Sequence, residues 1–214
     1  MHVVITGANR GIGQALDSRY RAAGHAVTGT ARKGGEFLAL DVSRSTDFDG
    51  LRSALDSRPI DLLICNAGIY PDKHHNLADG YPAAMWAEGF ATNVTGVFLT
   101  VQALLPNLQL ARTPKIAIIS SRMGSQQLAP GGSYIYRASK AAALNLGRNL
   151  AQDLRHIGIA VGIYHPGWVR SDMGGDAAEI SAADSAEGLI ARFDELDLDT
   201  SGCFRAWDGQ ELPL

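Results

Sequence analysis

The sequence predicts a doubly wound α/β fold, in which helices cover both faces of one parallel sheet. Two observations predict it. Short apolar runs alternate with segments of helical periodicity along all 214 residues, and a glycine-rich turn joins the first strand to the first helix. Strands that alternate with helices indicate right-handed crossovers and a parallel sheet. No repeat, low-complexity tract or linker interrupts the pattern, so we expect one domain over residues 1–214.

The spacing of apolar residues predicts each element in turn. The run His2–Thr6 predicts a buried strand, and the helical spacing that follows ends at Gly24, a typical residue after a helix C terminus. Further strands are predicted at Ala26–Ala31, Phe37–Leu40, Ile60–Asn66, Lys115–Ser120, Ile159–His165 and Cys203–Ala206. Further helices are predicted at Thr46–Ser57, Pro82–Ala111 (with room for one break), Tyr134–His156 and Ala182–Phe193. A Rossmann sheet is the expected outcome.

Composition and charge exclude several classes of protein. Hydrophobic residues make up 46% of the chain and charged residues 19%, values typical of a globular protein and not of a disordered one. The formal net charge of −3 gives no electrostatic footprint for nucleic acid or anionic lipid. We expect no signal peptide, no membrane-spanning run and a cytoplasmic location, with Cys65 and Cys203 as free thiols.

The turn after the first strand has the form expected of a phosphate-binding loop. Gly7, Gly11 and Gly13 follow the spacing G-x-x-x-G-x-G between strand and helix. Glycine permits unusual φ values and a close approach of the backbone to a pyrophosphate, whose charge suits a helix N terminus. The alternative is a tight turn that binds no ligand.

The end of the second strand indicates which nicotinamide cofactor binds. It carries Arg32 and Lys33 instead of the Asp or Glu that binds the ribose 2′-hydroxyl of NAD, and Arg10 lies in the glycine turn nearby. Guanidinium groups match phosphate oxygens, so we expect NADP(H) in preference to NAD(H). The alternative is that Arg32 and Lys33 only solvate the strand end. Asp41 is a candidate acceptor for the adenine amino group.

A second group of residues suits proton transfer at a carbonyl. A carbonyl oxygen that gains negative charge during hydride addition needs a proton donor, and the pKa of free tyrosine, about 10, is too high for efficient acid–base catalysis. Tyr136 and Lys140 lie one helical turn apart, so we expect the lysine to lower that pKa. Ser121 can donate a hydrogen bond to the carbonyl oxygen, and Ser120 is its rival. Tyr134 has no lysine four residues on.

Six ordered motifs together resemble the short-chain dehydrogenase/reductase family. They are Thr6-Gly-x3-Gly-Ile-Gly13, Asn66-Ala-Gly68, Asn93, Ser121-x2-Gly124, Tyr136-x3-Lys140 and Pro166-Gly167. The resemblance covers nearly the whole chain and implies seven strands in the order 3-2-1-4-5-6-7. It also implies Tyr136 as acid/base, Lys140 at the nicotinamide ribose and Ser121 at the substrate. Asn93 would hold a proton-relay water, the alternative being a buried polar residue at a helix kink.

The resemblance also implies a set of cofactor contacts. They are Gly7, Asn9, Arg10, Gly11, Ile12, Gly13, Arg32, Asp41, Val42, Asn66, Ala67, Gly68, Tyr136, Lys140, Pro166, Gly167, Val169 and Ser171. Ser171 stands where threonine is usual in the family. Residues 1–110 would form the cofactor-binding half, and residues 111–214 the catalytic and substrate-binding half.

More narrowly, the segments Tyr136–Lys140 and His165–Gly175 resemble C-factor and sniffer-type carbonyl reductases. We therefore expect an NADPH-dependent reductase of a small aldehyde or ketone, without a metal because His74 and His75 form an isolated pair. The alternative is a dinucleotide-binding signalling or regulatory protein of C-factor type. The family also implies a homodimer or homotetramer, and we expect no nucleic-acid or membrane partner.

Overall fold

The computed structural model describes all residues 1–214, which form one domain around a seven-stranded parallel sheet. The strands are β1 (His2–Ile5), β2 (Ala26–Ala31), β3 (Leu38–Ala39), β4 (Leu62–Cys65), β5 (Lys115–Ile119), β6 (Ala160–His165) and β7 (Phe204–Ala206). The helices are α1 (Gly11–Ala22), α2 (Phe48–Ala54), α3 (Ala83–Phe90), α4 (Gly96–Gln109), α5 (Tyr134–Leu154) and α6 (Ala182–Asp194). The strand order β3-β2-β1-β4-β5-β6-β7 confirms the predicted fold class and topology.

Two apolar clusters cover the two faces of the sheet. One joins α2, α4 and α5, with Leu51 and Leu104 at its centre, and the other joins α1 and α6 through Leu16 and Phe193. Both faces of the central strands β1, β4, β5 and β6 are buried, so these strands are almost continuously apolar, as is usual for parallel sheets.

Some element boundaries differ from the predicted ones. The third strand covers only Leu38–Ala39, because pairing with β2 is limited to two residue pairs. The predicted helix Thr46–Ser57 divides into a 3₁₀ turn at Ser45–Asp47 and α2, and a left-handed Ser57 (φ 55°) lies beyond its end. The predicted helix Pro82–Ala111 contains a π-helical segment at Ala91–Thr95, which lies between α3 and α4.

The stretch Ala83–Gln109 is long and apolar enough to cross a membrane by length and composition alone. The core helix of a globular protein passes the same test. In this fold 44% of the apolar window is buried, and Leu104 and Leu108 lie fully inside the core.

The carboxyl ends of four neighbouring strands meet at one edge of the sheet. The glycine turn follows β1, Asn66 follows β4, Ser121 comes shortly after β5, and Pro166 follows β6. Open α/β sheets bind their ligands at this edge.

Candidate functional site

Hydrogen bonds tie the glycine turn to the end of β4. The Thr6 hydroxyl oxygen accepts from the backbone N–H groups of Asn66 and Ala67, at 3.0 Å each. The Asn66 amide donates to the carbonyl oxygens of Thr6 and Gly7, at 3.0 and 3.1 Å. Four hydrogen bonds thus hold the turn in place.

The close packing of α1 on the glycine turn depends on three glycines. Gly7 and Gly11 have left-handed φ values of 67° and 54°. A Cβ at Gly13 would lie 2.1 Å from the Gly7 carbonyl oxygen, so α1 could not approach the turn with any other residue there. Arg10, at the N-cap of α1, makes no capping hydrogen bond with its side chain, and the first turn has no acidic residue. The free N–H groups of such a helix start suit an anion, and these residues therefore fit a dinucleotide pyrophosphate.

The cations predicted to bind a 2′-phosphate have carboxylate neighbours that sequence spacing did not indicate. The Arg10 guanidinium forms an exposed ion pair with Asp172, 162 residues away, at 2.6 Å. Arg32 is exposed at the end of β2. Burial alone would raise the pKa of Asp41, but hydrogen bonds from Ser43 and the nearby charge of Arg32 lower it. Asp41 therefore carries negative charge beside Arg32, with one carboxylate oxygen accepting from Ser43.

The segment after β6 lies opposite the glycine turn. A Cβ at Gly11 would lie 3.7 Å from the Cβ of Ser171. The Ser171 hydroxyl belongs to a local turn, because it donates to the Val169 carbonyl at 3.2 Å and accepts from the Gly174 N–H at 3.1 Å. Gly167 (φ 87°) turns the chain out of the sheet. This segment and the glycine turn therefore lie side by side at the same edge of the sheet.

Ser121, Tyr136 and Lys140 come together at this edge of the sheet. The Lys140 ammonium lies over the Tyr136 ring, 5.6 Å from its centroid, and donates to the Ile119 carbonyl at 2.9 Å. All three side chains belong to buried residues. The rival Ser120 has a different role, because its hydroxyl donates to the Lys140 carbonyl at 2.9 Å and ties the strand end to α5.

Gly124 sets how closely Ser121 approaches α5. It ends a 3₁₀ turn at Arg122–Gly124, and a Cβ on it would lie 2.6 Å from the Lys140 carbonyl carbon. The Ser121 hydroxyl accepts from the Met123 N–H at 3.1 Å, which holds the start of this turn. The glycine thus allows the serine turn to pack directly on the tyrosine helix.

The pKa of Tyr136 differs from the sequence-based expectation. Burial raises the pKa of Tyr136 to about 12, and a hydrogen bond from Ser121 offsets only part of this rise. Burial also lowers the pKa of Lys140 to about 8. In the protein without cofactor the pKa of Tyr136 therefore lies above its usual value, opposite to the direction expected from Lys140, because loss of hydration is the largest effect.

Asn93 lies in the π-helical segment and is buried. Its amide nitrogen donates to the Ile69 carbonyl at 2.9 Å and to the Ser139 hydroxyl at 3.0 Å, and its oxygen accepts from the Ile69 N–H at 2.9 Å. Both amide hydrogens are thus used within the protein. A Cβ on Gly68 would lie near both the Asn93 oxygen (3.2 Å) and the Lys140 nitrogen (3.4 Å), so these two groups face the same small space.

Residues that sequence reasoning missed surround the tyrosine. The Tyr70 ring stacks on the Tyr136 ring, with centroids 4.1 Å apart and planes inclined by 19°. Asp72 is fully buried and accepts from the Ile135 and Tyr136 N–H groups, at 2.8 and 3.2 Å. In the sequence, only their position could have indicated Tyr70 and Asp72, because both follow Gly68 near the sheet edge at which a site is expected.

Other residues singled out in the sequence lie apart from this constellation. Tyr134 is exposed and meets Tyr81 edge-on at 5.4 Å. His74 and His75 lie in a loop, and no group of three metal-ligating side chains is present in the chain. Burial raises the pKa of the Cys65 thiol to about 12, which makes it unreactive near neutrality.

Comparisons with known proteins agree with this arrangement. The family model described as short chain dehydrogenase matches residues 1–181. C-signal of Myxococcus xanthus is 39% identical over 156 residues, which cover 72% of this chain and 93% of that protein. The NADPH-bound carbonyl reductase from chicken fatty liver has 29% identity and a TM-score of 0.88 over 100% of this chain and 98% of its own. Carbonyl reductase Sniffer of D. melanogaster has 26% identity and a TM-score of 0.92 over 100% and 99%.

Proposed function

Because the chain belongs to the short-chain dehydrogenase family and is an oxidoreductase, we propose that it reduces the carbonyl group of a small aldehyde or ketone with NADPH. One observation carries the proposal. A buried hydroxyl, phenol and ammonium (Ser121, Tyr136 and Lys140) meet at the sheet edge that also carries the glycine turn. Hydride addition to a carbonyl needs these functional groups in one place.

Tyr136 is the proton donor of the proposed reaction. With a pKa of about 12, its phenol is protonated throughout the physiological range, which suits a general acid in reduction. As the carbonyl oxygen gains negative charge, the phenol gives it a proton, and the Ser121 hydroxyl donates a second hydrogen bond to the same oxygen. Lys140 provides a positive charge near the phenolate that results.

Asn93 positions the residues next to Lys140. It ties Ile69 to Ser139, the residue before Lys140. Both of its amide hydrogens are used within the protein, so a relay water in the space that Asn93 shares with Lys140 would donate to the remaining lone pair of the Asn93 oxygen. We therefore propose that Asn93 positions this part of the site and holds the relay water through its oxygen.

The cofactor assignment depends on the residues around the glycine turn. Gly7, Gly11 and Gly13 would receive the pyrophosphate, and Arg10 and Arg32 would receive the 2′-phosphate. When bound, NADPH supplies the hydride that the carbonyl carbon accepts. The NADPH bound to the chicken carbonyl reductase supports this choice over NADH. The Asp172 carboxylate competes for Arg10 and must share it or release it.

The test is NADPH consumption by the pure protein with a panel of aldehydes, ketones and quinones, with Tyr136→Phe measured in parallel. We expect turnover that the variant loses, while its affinity for NADPH stays within a few-fold. Retained turnover in Tyr136→Phe would show that this phenol is not the acid.

A signalling or regulatory protein that binds the dinucleotide is the second candidate, and the 39% identity to C-signal supports it. Tight NADPH binding without turnover of any carbonyl in the panel would favour this candidate. The full set Asn93, Ser121, Tyr136 and Lys140 favours the enzyme, because a binding protein has no use for a buried proton donor.

We propose that the protein is cytoplasmic and that it forms a homodimer or a homotetramer. The thiols of Cys65 and Cys203, which are unpaired, suit a reducing compartment. Phe98 on α4 is a large apolar side chain with 42% exposure, which suits an interface between copies of the chain. Light scattering after gel filtration measures the oligomeric state directly.

A further inference from the structure

Two contacts hold Tyr70 against Tyr136, the proposed proton donor, one through the face of its ring and one through its hydroxyl. Its face stacks on the Tyr136 ring at 4.1 Å. Its hydroxyl forms a short hydrogen bond with the hydroxyl of Ser133, the residue immediately before α5. A stacked pair of this kind contributes about 0.5–1.5 kcal/mol beyond the burial of its area. Tyr70 therefore restrains the plane in which the Tyr136 ring lies.

The first turn of α5 is capped by a residue from outside the helix. Ser133 occupies the N-cap position, but it is left-handed (φ 49°) and its side chain makes no capping hydrogen bond, because its hydroxyl is bonded to Tyr70. Asp72 takes over this role by accepting from the N–H groups of Ile135 and Tyr136. A buried carboxylate here satisfies donors that have no partner within the helix and complements the helix dipole. Asp72 thus fixes the main chain of the residue that carries the phenol.

Neighbouring residues of the same loop join this helix start to the rest of the site. Ile69 is bonded to Asn93 through both its N–H and its carbonyl group. The Lys73 ammonium donates to the Met173 carbonyl at 2.9 Å, in the segment that follows β6. The loop therefore contacts three parts of the site at once.

We propose that the segment Ile69–Lys73, here called the clamp segment, positions Tyr136 for proton transfer, with Asp72 fixing its main chain and Tyr70 fixing its ring. The inference rests on the proposed function, in which Tyr136 is the acid. Tyr70 and Asp72 are positioning residues, since both act through Tyr136. Because a misplacement of about 1 Å costs on the order of 10²-fold in rate, a restraint on the phenol affects kcat more than cofactor binding.

The first test uses three variants that separate the ring of Tyr70 from its hydroxyl. Tyr70→Leu removes the stacked ring, and we expect kcat to fall about tenfold or more while the Kd for NADPH stays within twofold. Tyr70→Phe keeps the ring and should retain kcat within about threefold. Tyr134→Leu is the matched control, because Tyr134 lies on the same helical turn but contacts Tyr81.

The second test needs no substrate. The rate at which the Tyr136 ring flips can be measured by aromatic NMR, with its signals assigned by their loss in Tyr136→Phe. We expect faster flipping in Tyr70→Leu and a rate close to that of the wild type in Tyr70→Phe. Asp72→Asn should speed hydrogen exchange at the Ile135 or Tyr136 amide, because these N–H groups donate to different carboxylate oxygens and the variant replaces one oxygen with an NH2 donor.

The outcomes also separate this inference from the proposed function. Turnover in Tyr136→Phe would overturn the proposed function. An inactive Tyr136→Phe together with a Tyr70→Leu variant of wild-type kcat would overturn only the role of the clamp segment. Equal losses in Tyr70→Leu and Tyr134→Leu, or a ring-flip rate unchanged in Tyr70→Leu, would also overturn it.

Discussion

Gly124→Ala tests whether close packing of the serine turn on α5 sets the distance between Ser121 and Tyr136. The added Cβ would lie 2.6 Å from the Lys140 carbonyl carbon and 2.7 Å from its oxygen, both backbone atoms that cannot move aside alone. Ordinary contact begins at 3.4 Å, so the turn must retreat by about 0.8 Å. Overpacking of this kind costs about 1–3 kcal/mol of stability.

A displacement of this size should reduce kcat about 10²-fold, because the hydroxyl of Ser121 moves away from the carbonyl oxygen that it must contact. The Kd for NADPH should change little, since the glycine turn lies elsewhere on the sheet edge. The measurements are steady-state kinetics, NADPH fluorescence titration and urea unfolding. Gly50→Ala is the matched control. A Cβ there would meet nothing within 4 Å, and the helix should gain stability. Wild-type kcat in Gly124→Ala would refute the reasoning.

Three further predictions concern the charges around the site. Arg32→Ala should weaken binding of NADPH far more than binding of NADH in a fluorescence titration; an equal effect on both would contradict the 2′-phosphate assignment. Asp172→Asn should tighten NADPH binding by freeing Arg10, with little change in stability because the pair is exposed; weaker binding in the same titration would contradict this. Burial lowers the pKa of Lys140 to about 8 from its usual 10.5. Between these values Lys140 binds more protons in the unfolded chain, so its own contribution to the free energy of unfolding should rise by about 2 kcal/mol from pH 8 to pH 10, while the raised pKa values of Cys65 and Tyr136 act in the opposite direction. Lys140→Met should remove that rise in urea unfolding at pH 8 and pH 10, and parallel curves for both proteins would contradict the account.

Features set by local pattern could be predicted from the sequence. The central strands β1, β4, β5 and β6 are buried on both faces and therefore appear as apolar runs, and the glycines at positions 7, 11 and 13 stand at fixed offsets from the first run. The helical spacing of Tyr136 and Lys140 follows from the periodicity of one helix. These regularities involve neighbours in the chain, so a single sequence contains them.

Features that depend on tertiary contacts could not be predicted. Ser133 has the residue type and position of a local N-cap, yet Asp72 caps α5 from more than sixty positions away. The ion pair of Arg10 with Asp172 joins two loops that only the folded sheet brings together. The direction of the Tyr136 pKa shift depends on how completely the folded chain excludes water from the phenol, which spacing to Lys140 does not reveal.

The most direct test of the central claim is the transfer of deuterium from NADPH that is labelled at C4 to a carbonyl substrate, followed by mass spectrometry of the alcohol. We expect label at the carbinol carbon with the wild-type protein, from one of the two C4 positions only. We expect no labelled alcohol with Tyr136→Phe. Absence of label in any alcohol product with the wild type, or equal labelling by the Tyr136→Phe variant, would contradict the proposal that this chain is a carbonyl reductase with Tyr136 as its acid.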